Sequence, residues 1–161
     1  MTGVAVVLAG GEGLRMGGGK PLRVWGGRPL LARAIDLAAG YSRVVAVAVR
    51  DAGQTGAGAH ASLLFDPPEI GGPLAGLASA LEFGCRHGAL WVQTLACDMP
   101  NLPADLSERL LEALTPGVGA VLPVSGGRLH PVCGLWRIAS RDRLADYLAT
   151  GRSSLRGFAE A

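Results

Sequence analysis

The stretch Val4-Ala5-Val6-Val7-Leu8-Ala9-Gly10-Gly11-Glu12-Gly13-Leu14-Arg15-Met16-Gly17-Gly18-Gly19-Lys20 decides the fold of this chain. Its first five residues form an apolar run short enough to be one buried strand. The chain then enters a glycine-dense turn that carries two cations, Arg15 and Lys20. Glycine has no Cβ and reaches φ > 0 cheaply, so such a loop can lay bare N–H groups against a polyphosphate. Its place after the first strand puts it at the carboxyl edge of a parallel sheet, where open α/β folds bind ligands. The segment is a candidate nucleotide site; a flexible surface turn is the plainer reading in a chain with 25 glycines.

Two phosphate loops are excluded. A P-loop ending at Gly19-Lys20 needs glycine at position 14 and Ser or Thr at 21, where the chain has Leu14 and Pro21. A dinucleotide fingerprint starting at Gly11 and Gly13 meets Met16 at its last position.

Outward from this loop, apolar runs alternate with helical patterns. Val44–Val49, Leu63–Phe65, Leu90–Leu95 and Ala120–Pro123 read as further buried strands, and Val132–Trp136 as another. Pro29–Ala39 sets Leu30, Leu31, Ala34, Ile35 and Ala38 on one helical face, with Gly40 as a natural stop. Pro73–Phe83 and Pro103–Leu114 each open with a proline that suits a helix start. Ser140–Leu148 reads as a helix capped by Ser140, and residues 51–60 as a mobile surface loop. The alternation predicts one α/β/α three-layer domain with a doubly wound, mostly parallel sheet. A length of 161 residues suits one domain that buries roughly two thirds of its unfolded surface.

Composition narrows the partners. A net charge of +2 with scattered arginines gives no nucleic-acid patch. Cys85, Cys97 and Cys133 have no C-x-x-C spacing, and His60, His87 and His130 are too dispersed for a metal cluster. No basic n-region precedes Val4 and no apolar run reaches membrane-span length, so the expectation is a soluble, cytoplasmic protein with no membrane partner.

Several residues stand where chemistry could occur. Asp98 follows the strand Leu90–Leu95 and would emerge at the same edge as the first loop, placed either to hold Mg²⁺ or to cap the helix near Pro103. Asp66 ends another strand before a Pro-Pro turn, a position that also suits a purely turn-forming aspartate. Arg15 and Lys20 could neutralise phosphates or be solvated surface cations. Gly72-Pro73-Leu74-Ala75-Gly76 opens a helix whose small residues admit close backbone approach.

The pattern L-A-G-G-x-x-x-R-M-G-x-x-K at residues 8–20 resembles the signature loop of nucleotidyltransferases that activate phosphorylated acceptors. Further matches follow in order: Asp66 ahead of Gly72-Pro73-Leu74-Ala75-Gly76-Leu77, Cys97-Asp98-Met99-Pro100, and His130-Pro131-Val132-Cys133-Gly134-Leu135-Trp136. Together the chain is most similar to the molybdenum cofactor guanylyltransferase family. The resemblance implies Mg²⁺-dependent transfer of GMP from GTP to the terminal phosphate of Mo-molybdopterin, with release of pyrophosphate. It implies Leu8, Ala9, Gly10 and Gly11 at the nucleotide, and Arg15, Lys20 and Asp98 in catalysis. Asp66 would contact the nucleotide, Asp98 the metal and His130 the acceptor, and transient contacts with cofactor-biosynthesis or molybdoenzyme-maturation proteins fit the same picture. A cytidylyltransferase of the same superfamily and a catalytically silent nucleotide-binding module are the alternatives.

The chain departs from the family pattern at three places. Gly19 replaces the aspartate usual before the motif lysine, and Val49 stands where a polar residue often helps to read the base. The usual C-terminal Asn-x-Asn-Thr-Pro-Glu-Asp-type element is expected to be missing from the single domain 1–161, though Arg152-Ser153-Ser154-Leu155 resembles its approach.

Overall fold

The computed structural model describes residues 3–11, 20–55 and 61–161. In chain order it contains β1 (Gly3–Leu8), β2 (Val24–Trp25), β3 (Arg28–Pro29), α1 (Leu30–Tyr41), β4 (Val45–Val49), β5 (Ser62–Phe65) and α2 (Pro73–Arg86). Next come β6 (Trp91–Ala96), α3 (Leu106–Ala113), β7 (Ala120–Val121), β8 (Val124–Ser125) and β9 (Arg128–Leu129), then β10 (Leu135–Arg137), α4 (Arg141–Ala149) and α5 (Leu155–Ala159).

The central sheet has the order β5-β4-β1-β6-β10-β7. Strands β5, β4, β1 and β6 run parallel, and β10 is antiparallel to both β6 and β7. The expected α/β sheet is therefore present, with an antiparallel insertion on one side. The uniformly apolar strands β1 and β4 form because both their faces are covered, whereas the edge strand β5 leaves Phe65 exposed. Val4 and Val6 pack on the face of α2, α4 and α5, while Ala5, Val7 and Ala9 join Leu31, Ala34 and Ala38 of α1 on the other face. Strand β4 alternates the same way, Ala46 and Ala48 to one side and Val47 and Val49 to the other. In α2, Leu74, Leu77 and Leu81 are fully buried, each contributing about 1.5–3 kcal/mol of apolar burial.

Several boundaries differ from the sequence expectation. Gly40 does not stop α1: the helix runs to Tyr41, whose hydroxyl donates to the Pro103 carbonyl, and Ser42 Oγ then donates to Gly3 O at 2.8 Å. The α3 helix starts at Leu106, because residues from Pro103 form a turn whose carbonyl accepts the Leu106 amide at 3.1 Å. Ser140 makes no side-chain cap; its hydroxyl donates to Gly119 O at 3.1 Å instead. Only Ala120–Val121 of the 120–123 run pairs, and Pro131–Cys133 forms a 3-10 turn before β10. Within 51–60, Ala52–Gln54 is a 3-10 turn capped by Asp51.

Candidate active site

The chain leaves β1 toward β4 and β5 on one side and later returns to β6 on the other, with α1 and α2 on opposite faces. A crevice opens at the carboxyl ends of the strands where the winding direction reverses. There a cavity of about 480 Å³ gathers the ends of all four parallel strands. Leu8–Gly11 arrives from β1, Arg50 from β4, Asp66 from β5, and Ala96–Met99 from β6. The N-terminus of α2 supplies Gly72, Pro73 and Gly76, and His130 arrives ahead of the antiparallel β10.

Gly10 is where these parts meet most closely. A Cβ on Gly10 would lie 2.2 Å from Asp66 Oδ2 and 3.5 Å from Arg50 Cγ. The Asp66 carboxylate thus lies directly on the Gly10 backbone, a close approach only glycine permits. Asp66 is half-buried, and burial pushes its carboxyl above the usual range, while the Arg50 charge and the Ser79 hydroxyl pull it back. Ser79 Oγ donates to Phe65 O at 3.1 Å and reaches Asp66 Oδ1 at 3.5 Å. The Ala9 amide is committed to Ala48 O at 2.8 Å, so Ala9 can offer a ligand only its carbonyl.

Asp98 is exposed at the turn leaving β6, with buried Cys97 before it. Beneath it, Cys133 is fully buried, its Sγ 3.5 Å from Met99 Sδ. Burial pushes the Cys133 thiol up, which suits a packing role and opposes a thiolate nucleophile. The segment carrying His130 is held to β6 by backbone and side chains together: the Thr94 amide donates to Gly134 O at 2.9 Å, Gln93 Nε2 to Cys133 O at 3.0 Å and Thr94 Oγ1 to Gly134 O at 3.1 Å. Trp136 Nε1 in turn donates to Thr94 Oγ1 at 3.2 Å.

Of the residues singled out from sequence, Leu8, Ala9, Gly10, Gly11, Asp66, Asp98 and His130 all line this one cavity. Asp98 is not the cap of α3, whose N-cap position is Asp105. Arg15 lies outside the described residues, and the Lys20 backbone opens the 3-10 turn Lys20–Leu22. Val49 is fully buried, and the next residue, Arg50, reaches the cavity instead. Arg50 was legible as a charged residue ending an apolar strand at the ligand edge, a signal already used for Asp66 and Asp98.

Among the described residues no three His, Cys, Asp or Glu side chains cluster as a metal site. The carboxylate of Asp98 fits a hard cation whose other ligands are phosphate oxygens and water, the usual arrangement for Mg²⁺ at a nucleotide. No described helix is long and apolar enough to cross a membrane.

Comparisons with known proteins agree with this geometry. The family description "MobA-like NTP transferase domain" matches residues 5–161. A molybdenum cofactor guanylyltransferase of Cereibacter sphaeroides is 37% identical over 158 residues, covering 96% of this chain and 79% of that protein. A protein of the same name from Rhodobacter capsulatus is 39% identical over 140 residues, covering 86% of this chain and 70% of its own. The crystal structure of molybdopterin-guanine dinucleotide biosynthesis protein A from Archaeoglobus fulgidus superposes with a TM-score of 0.78 at 22% identity, covering 97% of this chain and 78% of that one. With a glycine turn and two carboxylates converging at the sheet's switch point, and with matches along nearly its whole length, this chain belongs to the MobA-like NTP transferase family.

Proposed function

We propose that the protein transfers GMP from GTP to the terminal phosphate of Mo-molybdopterin, forming the guanine dinucleotide and releasing pyrophosphate. The observation that carries this reading is the convergence of Leu8–Gly11, Asp66, Asp98 and His130 on one cavity. The names of the relatives supply the acceptor and the nucleotide.

In this reading, the Leu8–Gly10 backbone, with the Ala9 carbonyl, meets the guanine and ribose, Gly11 lies nearer the phosphates, and Asp66 holds the nucleotide. Lys20 and Arg15 neutralise phosphates, and Asp98 holds Mg²⁺, which supplies charge neutralisation on the phosphates when bound. His130 faces the acceptor. An acceptor phosphate oxygen forms a bond to the α-phosphorus of GTP as the bond from that phosphorus to the bridging oxygen breaks, and pyrophosphate departs with the electron pair. No protein nucleophile takes part. Free Cys85, Cys97 and Cys133 suit the reducing cytoplasm in which we place this reaction.

The test is incubation with Mg²⁺, Mo-molybdopterin and each nucleoside triphosphate, following pyrophosphate. Turnover with GTP is expected. Turnover with CTP alone would assign the chain to a cytidylyltransferase, and GTP binding by calorimetry without turnover would make it a binding module.

A further inference from the structure

We propose that Arg50 is a positioning residue that clamps the ionised Asp66 carboxylate against Gly10, so that Asp66 meets the nucleotide in one fixed pose. The inference rests on the nucleotide site proposed above. Its basis is the way three strand ends interlock. Asp66 Oδ2 and the Arg50 stem share the space over Gly10 that a side chain there would fill. Both residues line the cavity, from the adjacent strands β5 and β4.

Arg50 is launched from a fixed point. Gln54 Oε1 accepts the Arg50 amide at 2.7 Å and the Asp51 amide at 3.4 Å, and Asp51 Oδ1 accepts the Gly53 amide at 2.9 Å. This capping box stiffens the turn directly after β4. Among the described residues Asp66 has little other support. The Ser79 hydroxyl stands at the limit of hydrogen bonding to it and sits closer to Phe65 O. Among the described residues, the groups facing Asp66 are Arg50 from β4, Ser79 from α2 and the Gly10 backbone from β1, with Asp98 and His130 elsewhere on the cavity wall. Arg50 is the cation among them and the main counterweight to the burial of that carboxylate.

The test is a carboxyl NMR titration of the ligand-free protein, run beside kcat/KM for GTP against pH. In Arg50→Gln, the Asp66 midpoint should move up and the acid limb of kcat/KM should move with it, with about a tenfold loss of rate on that limb for each unit moved. Arg50→Lys should restore much of both. Gln54→Ala, which lies off the cavity, should move the midpoint in the same direction by loosening the launch point. An unchanged Asp66 midpoint in Arg50→Gln overturns the proposal, as does a pH-independent loss of GTP use, which would mean that Arg50 touches the nucleotide itself. If the midpoint moves as expected while the wild-type protein neither binds nor uses GTP, the clamp stands and the nucleotide assignment falls.

Discussion

Replacing Gly10 with alanine tests the site at its tightest point. The added methyl would sit 2.2 Å from Asp66 Oδ2 and 3.3 Å from its Cγ, so the carboxylate must move by about 1 Å to restore ordinary contact. The displaced group is a short side chain at a cavity wall, so the fold should lose only about 1 kcal/mol, the low end for an overpacked position. Function should suffer far more, because about 1 Å of misplacement in a positioning group can cost about 10²-fold in rate. The assay is pyrophosphate release under saturating Mg²⁺, with a thermal melt of the same preparation. In an Asp66→Ala background the obstruction is gone, so adding Gly10→Ala should then leave the melting temperature unchanged. A Gly10→Ala protein that keeps kcat/KM within about threefold of wild type would refute the reasoning, since Asp66 would then have no fixed place to lose.

Asp98→Asn should lower Mg²⁺-dependent turnover by about 10²-fold or more with an unchanged melt, because Asp98 is exposed and packs no core. Trp136→Ala should cost about 3–5 kcal/mol in urea unfolding, since the ring is buried, stacks on Phe158 at 6.0 Å and donates to Thr94. Asp66→Asn should stabilise the ligand-free protein at pH 7 while abolishing GTP use. Burial raises the Asp66 carboxyl in the folded state, so its favourable protonated form stabilises the fold fully only below the unfolded value of about 3.9, and that contribution is lost as pH rises through the folded value. The stability gap between Asp66→Asn and wild type should therefore close as denaturation is repeated toward pH 4; an equal gap at both pH values would reject the burial argument.

The parallel half of the fold was legible because β1 and β4 are buried on both faces and read as unbroken apolar runs, while β6 is fully buried despite Gln93 and Thr94 and the edge strand β5 keeps a short apolar core. That regularity also marks where each run ends, so the sequence alone sets Leu8–Gly11, Asp66 and Asp98 at strand ends on one edge. The antiparallel half was legible in existence but not in extent: the runs 120–123 and 132–136 overlap β7 and β10. Strands β7 and β10 pair over two or three residues, too short for a periodic signal. The hairpin β8–β9, absent from the sequence reading, turns at Gly126-Gly127, both in the left-handed region at φ 55° and 73°, which a two-residue hairpin turn needs. Gly40 shows the opposite error: a helix tolerates glycine where the following tyrosine is anchored to a distant carbonyl. At the end of β4 the polar contribution comes from Arg50, one residue beyond Val49, which the strand buries.

Strand direction also divides the labour of the cavity wall. The parallel strands β1, β4, β5 and β6 contribute the residues that trail them, whereas β10, running the other way, contributes those that lead into it, including His130. The two sets hang from different connections, joined by the antiparallel pairing of β10 with β6 and reinforced by the Gln93 and Thr94 side chains. A lineage could lengthen or exchange the β8–β9 hairpin and so reshape the wall that carries His130 while the wall built by the parallel strands stays as it was, a change that leaves the sheet untouched.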